Sequence, residues 1–122
     1  MIVRRIVVAD NDPEVTDLLV SDLQAEGHEV VGIATGGERA LELCLERRPD
    51  VLVIDYRMPP GPNGIEIAAR LREAAPGVAV VIYTNYRRAD VRVDAERLGA
   101  RFLMKGNIRA LRRVVAEAEA PA

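Results

Sequence analysis

Short apolar runs alternate along the chain with stretches whose apolar positions recur every three to four residues. Ile6-Val7-Val8-Ala9 and Val51-Leu52-Val53-Ile54 are continuous and aliphatic, as buried parallel strands are. Residues 78–83, Val-Ala-Val-Val-Ile-Tyr, form a third such run, and a further strand is expected at Arg101–Met104. A short strand is expected at Glu29–Ala34, around Val30, Val31 and Ile33. Between the runs, five helices are expected. Asp12 is placed to cap the first and Pro13 to open it, with Val15, Leu18, Leu19 and Leu23 as its apolar stripe and Gly27 closing it. Thr35-Gly36-Gly37-Glu38 has capping-box spacing before a second stripe of Ala40, Leu41, Cys44 and Leu45, which Arg47-Arg48-Pro49 ends. Asn63, with Glu66 three residues on, starts a third helix carrying Ile67, Ala68, Leu71 and Ala75, and Pro76-Gly77 breaks it. A more polar helix spans about 87–98, with Val91, Ala95 and Leu98 inward, and Gly99 stops it. The last carries Ile108, Leu111, Val115 and Ala118 before a frayed tail at 120–122.

Strict strand-helix alternation with apolar strands predicts an α/β fold, a parallel sheet covered by helices on both faces. All carboxyl ends of such a sheet lie on one rim. Four runs end in polar residues: Asp10-Asn11, Asp55, Thr84 and Lys105. They are therefore expected to converge, at the rim where open α/β sheets bind ligands. Asp55, followed by the Pro- and Gly-rich segment 56–64, is the chemical centre of this reading.

Composition narrows the possibilities. The 122 residues suit one domain over 1–122, with an ordinary globular balance of 49% apolar and 30% charged residues. A net charge of −2 gives no reason to expect nucleic-acid contact, and the pairs Arg47-Arg48, Arg87-Arg88 and Arg112-Arg113 read as solvated helix faces. One cysteine, Cys44, excludes an internal disulfide and is expected in the core, and His28 is expected on the surface of a turn. No signal peptide or membrane-spanning run is visible, so the cytoplasm is the expected compartment. Sixteen of the seventeen basic residues are arginine. The lone Lys105 marks a place where a compact point charge is wanted.

Two carboxylates, a hydroxyl and one ammonium make a coherent set. The acids repel unless a cation joins them, and Mg²⁺ takes oxygen ligands from one or two carboxylates while keeping waters. A carboxylate beside it can attack a phosphoryl group to form an aspartyl phosphate. Lys105 and Thr84 could then serve the new phosphoryl oxygens. No Walker, zinc or Ser-His-Asp pattern competes.

These residues, in this order, resemble the receiver domain of bacterial two-component response regulators. The likeness runs from about residue 4 to 119. It rests on Asp10-Asn11-Asp12-Pro13, on Asp55 with Met58-Pro59, on Thr84, and on Phe102-Leu103-Met104-Lys105. The resemblance implies a flavodoxin-like doubly wound sheet of order 2-1-3-4-5. It implies Asp55 as phosphoacceptor from a sensor histidine kinase, and no enzyme beyond the domain's part in its own phosphorylation and dephosphorylation. It implies Mg²⁺ held by Asp10, Asn11, Asp55 and the backbone carbonyl of Arg57. Thr84 and Lys105 would bind the phosphoryl group, and Thr84 and Phe102 would form the switch, the ring turning inward as the hydroxyl moves. A downstream protein or attached output domain is implied, with homodimerisation on phosphorylation as an option.

The chain departs from the family at several places. The usual second acid of the first turn is Asn11, which predicts weaker Mg²⁺ binding unless Asp12 swings in. Pro60-Gly61-Pro62 lengthens the loop after Asp55, Asn85 replaces a small residue, and Gly106 replaces a frequent proline. Alternatives therefore stay open: a non-phosphorylated pseudo-receiver acting as an interaction module, the receiver part of a DNA-binding regulator, or an unrelated flavodoxin-like enzyme or binder.

Overall fold

The apolar runs pair side by side as five parallel strands. The computed structural model describes residues 2–119, so the tail expected at 120–122 lies outside the described residues. The elements are β1 (Arg5–Ala9), α1 (Pro13–Ala25), β2 (Glu29–Ala34), α2 (Gly37–Arg47), β3 (Val51–Ile54), α3 (Gly64–Ala74), β4 (Ala79–Thr84), α4 (Ala89–Arg97), β5 (Arg101–Met104) and α5 (Ile108–Glu117). The strand order is β2-β1-β3-β4-β5, and every pair is parallel. The expected doubly wound sheet of order 2-1-3-4-5 is therefore present.

Strand alternation divides the core in two. Val7, Ala9, Leu52, Ile54, Val80 and Ile82 face α2, α3 and α4 through Leu43, Cys44, Ile67, Leu71, Val91 and Ala95. Ile6, Val8, Val51, Val53, Val81 and Tyr83 face α1 and α5 through Leu19, Leu23, Leu111, Val114 and Val115. Both faces of the central strands are thus buried, which is why they read as unbroken apolar runs. Cys44 lies in the first core as expected, and burial pushes its thiol up to about 12.

The caps separate local from tertiary control. Asp12 Oδ1 accepts the Glu14 N–H (3.0 Å), and Asn63 Oδ1 accepts the Glu66 N–H (2.9 Å). The capping box expected at Thr35 does not form. Gly36 is the N-cap, without a side-chain bond, and Glu38 pairs with Arg70 on α3 (2.9 Å) instead of reaching back. Here packing sets the helix start: a Cβ on Gly37 would lie 2.7 Å from the Pro62 carbonyl. Leu18, expected in the α1 stripe, is 64% exposed, leaving Leu19 and Leu23 to face the sheet. His28 is half-buried rather than on the surface, because its Nδ1 accepts the Arg4 N–H (3.0 Å) and ties the β2 approach to β1. Arg112 is not simply solvated: its Nε donates to Asp22 Oδ2 (3.1 Å), joining α5 to α1.

Candidate phosphoacceptor site

β1 and β3 are neighbours in the sheet, with Ala9 opposite Ile54, so Asp10 and Asp55 leave it side by side. Both are buried, at 1% and 8% exposure. β5 lies two strands from β3 and three from β1, and only a long side chain can reach both acids from there. Lys105 does so, placing Nζ 2.7 Å from Asp10 Oδ2 and 3.0 Å from Asp55 Oδ2. One ammonium thus bridges two carboxylates that would otherwise repel, offsetting part of their charge. Burial alone would lower the Lys105 pKa; the hydrogen bonds to Asp10 and Asp55, with their charges, outweigh it and raise the pKa above its ordinary value.

The lysine is held at its base as well. Its backbone N–H donates to the Thr84 carbonyl (2.9 Å), and the Gly106 N–H donates to the Tyr83 hydroxyl (3.0 Å). Gly106 has φ +95, and proline could offer neither that angle nor that N–H. The departure at Gly106 therefore has a structural reason. Tyr83 was not singled out from sequence as a site residue. Its role needs β4 and β5 in register, and only the identity of Gly106 hints at it.

Thr84 is buried at the end of β4, and its Oγ1 accepts the Tyr86 N–H (3.2 Å). Its own hydroxyl hydrogen remains available to an acceptor in the cleft. Asp55, Arg57, Thr84, Asn85, Tyr86 and Lys105 together line an open cleft of about 320 Å³. Tyr86 stacks at a tilt on Tyr56, ring centroids 4.8 Å apart, and the Arg57 guanidinium lies 5.7 Å over the Tyr86 ring.

Asp10, Asp55, Thr84 and Lys105 are thus brought together. Asn11 follows Asp10 directly and is exposed. Asp12 does not swing in; its carboxylate caps α1, and its N–H donates to Asp10 Oδ1 (2.9 Å). Among the described residues no group of three or more His, Cys, Asp or Glu side chains could hold a metal. Two carboxylates, one amide and backbone carbonyls still suit Mg²⁺, a hard cation that keeps waters. Phe102 lies apart from the cleft, 8% exposed among Ile82, Val91 and Ala95, with the Arg92 guanidinium 5.0 Å over its ring. The ring is buried in this structure, with Arg92 of α4 covering it. Arg92, too, was not singled out from sequence.

The loop after Asp55 returns close beneath it. A Cβ on Gly64 would lie 2.5 Å from the Asp55 carbonyl oxygen, so the start of α3 is pressed against the acid's own backbone.

Comparison with known proteins agrees with this geometry. Residues 6–116 match the family described as response regulator receiver domain. The "Probable transcriptional regulatory protein NarL" of Mycobacterium tuberculosis is 36% identical over 107 residues, 86% of this chain and 49% of that protein. Sporulation initiation phosphotransferase F of Bacillus subtilis is 30% identical over 100 residues, 82% of this chain and 79% of that one. The chain spans 38% of the oxygen regulatory protein NreC of Staphylococcus epidermidis, so it covers well under half of some relatives. Among solved structures, the signal receiver domain of NarL from Mycobacterium tuberculosis superposes with a TM-score of 0.85 at 31% identity, covering 93% of this chain and 97% of that one. With its buried acid pair, bridging lysine and sheet order, the chain belongs to the receiver domains of two-component response regulators.

Proposed function

We propose that residues 1–122 act as one receiver unit whose Asp55 accepts a phosphoryl group from the phosphohistidine of a sensor kinase. The observation that carries this is Lys105 Nζ bridging Asp55 and Asp10 beside the buried Thr84 hydroxyl. Asp55 Oδ forms the new bond to phosphorus as the bond to the donor breaks, and the electron pair leaves with the donor. Lys105 releases part of its hold on Asp55 and turns to a phosphoryl oxygen, and Thr84 donates to another. Asp10, Asn11, Asp55 and the Arg57 carbonyl would hold Mg²⁺, which neutralises charge between the acid and the incoming group when bound. The domain is a phosphoacceptor rather than a catalyst acting on other substrates. Drawing Thr84 toward the phosphoryl group loosens the packing next to Phe102, and the surface of α4, β5 and α5 is the readout.

The output is a downstream protein or an attached domain. The NarL relative is named as a transcriptional regulator, which favours a DNA-binding output over an enzymatic one. The matches give no support to a homodimer, and none is proposed. Among the described residues no helix is long and apolar enough to cross a membrane, in keeping with a cytoplasmic role.

Incubation with Mg²⁺ and acetyl phosphate tests the reading. A mass gain of one phosphoryl group, lost in Asp55→Asn, is expected. No gain in the folded native chain would sink it. Asn11 favours a second reading, the pseudo-receiver. If Asn11→Asp takes up phosphoryl and the native chain does not, the second reading replaces the first.

A further inference from the structure

We infer that the Arg57 side chain is a second phosphoryl-binding cation of this site, a role distinct from that of its backbone carbonyl. The inference rests on the phosphoacceptor reading of Asp55. The first ground is charge. With Asn11 neutral, the cleft holds two carboxylates, and Lys105 answers both with one ammonium. An added phosphoryl group brings about one and a half to two more negative charges and three acceptor oxygens. Lys105 has three N–H donors, two of them already directed at Asp10 and Asp55, so it cannot serve the new group alone.

The second ground is position. Arg57 and Lys105 line the same cleft as Asp55 and Thr84. Arg57 is exposed, and no carboxylate among the described residues pairs with it. Its guanidinium lies over Tyr86; the Tyr86 N–H donates to Thr84 Oγ1, its ring packs on Tyr56, and the residue lines the cleft with Asp55. A cation resting on a half-buried aromatic face is held less firmly than one in an ion pair, and it stays close to its second destination. Its planar array of N–H groups suits phosphoryl oxygens. During transfer Arg57 exchanges no proton. The bond from Asp55 Oδ to phosphorus forms, the phosphorus–oxygen bond to the acetate of acetyl phosphate breaks with its electron pair leaving on acetate, and Arg57 moves from the ring to the dianion.

The test uses beryllofluoride as the phosphoryl stand-in at saturating Mg²⁺, read by amide NMR shifts of Thr84 and Lys105. Mg²⁺ affinity is measured separately in the same way. Arg57→Gln keeps bulk and removes charge; Arg57→Lys keeps charge. Arg57→Gln is expected to weaken beryllofluoride binding about tenfold. It should leave Mg²⁺ affinity unchanged or tighter, because a nearby positive charge has been removed. Arg57→Lys should recover most of the loss. Damage to the loop would instead weaken both ligands together, and that result overturns the inference. Beryllofluoride binding at native strength in Arg57→Gln overturns it equally, while leaving Asp55 as acceptor intact. A native chain that binds no beryllofluoride brings down the Asp55 reading and this one with it.

Discussion

The two rims of the sheet handle charge in opposite ways. At the carboxyl rim Asp10, Asp55 and Lys105 bond to one another, largely out of solvent. At the amino rim the charged groups bond to the backbone. Asp50 Oδ2 accepts the Arg5 N–H (2.8 Å), and Arg5 Nη1 donates to the carbonyls of Arg47 (2.8 Å) and Arg48 (2.9 Å). Those residues are exposed. The amino rim uses charge to complete the hydrogen bonding of strand and helix ends. At the carboxyl rim Asp10 also accepts a backbone N–H, from Asp12, but the buried carboxylates there share one ammonium as well. Substitutions should therefore couple stability to ligand binding at one rim and not at the other.

Lys105→Met should show the largest effect. Breaking a buried ion pair from one side costs roughly 3 to 5 kcal/mol, and here two carboxylates are left without their cation. The cost should shrink on adding Mg²⁺, which supplies the acid pair with another cation. Urea unfolding at neutral pH, with and without Mg²⁺, measures both. Unchanged stability at neutral pH would mean that the bridge contributes little.

Titration separates the rims next. The Lys105 pKa is raised in the fold, so its contribution is complete below 10.5 and is lost as pH rises through the folded value. Cys44 behaves with the same sign: ordinary value 9.0, folded value about 12. It should remove roughly 2 to 3 kcal/mol between pH 9 and 11, at about 1.4 kcal/mol per unit. Measured in Cys44→Ala, the pH slope in that window should flatten. What remains above it should flatten further in the double variant with Lys105→Met, and should be untouched by substitutions at the amino rim.

Gly64→Ala probes the carboxyl rim through its backbone. The added Cβ would meet the Asp55 carbonyl oxygen at 2.5 Å and Ile82 Cδ1 at 3.2 Å. Overpacking of this kind costs about 2 kcal/mol. Phosphorylation by acetyl phosphate should slow along with the fall in urea midpoint, since the strain falls on the acid itself. Loss of stability with unaltered phosphorylation would show that α3 yields rather than Asp55.

How legible these differences were in the sequence follows from the range of each interaction. β1, β3 and the convergence of Asp10, Asp55, Thr84 and Lys105 could be read because apolar runs bounded by breakers fix parallel strands, and parallel strands share a rim. The Asp12 and Asn63 caps could be read because both bonds close within three residues. Thr35 misled because α2 starts where Gly37 meets Pro62, a contact between distant segments. Tyr83 and Gly106 pair across 23 residues, so their bond depends on the register between strands. The identity of Phe102 was plain, but its neighbours Val91, Ala95 and Arg92 come from another element. His28 looked like a surface turn residue because its donor, the Arg4 N–H, comes from the start of the neighbouring strand, 24 residues away in sequence.

Asp50→Ala should give the smallest effect and the clearest contrast. Asp50 Oδ2 accepts the Arg5 N–H, while the Asp50 N–H donates to the Arg5 carbonyl (2.8 Å) and its own carbonyl accepts the Ala79 N–H (2.9 Å). Alanine keeps both backbone bonds and removes only the side-chain acceptor. Water replaces it at this exposed position, so the loss should be about 1 kcal/mol. That is enough to lower the urea midpoint measurably. The carboxyl rim lies at the far end of the same strands, and Val51–Ile54 between them is fully buried and paired on both sides. Such a strand transmits no slack from one end to the other. Beryllofluoride affinity and Mg²⁺ affinity in Asp50→Ala should therefore match the native chain. A shift in either would mean that β3 slides as a unit, and that the two rims are mechanically one site.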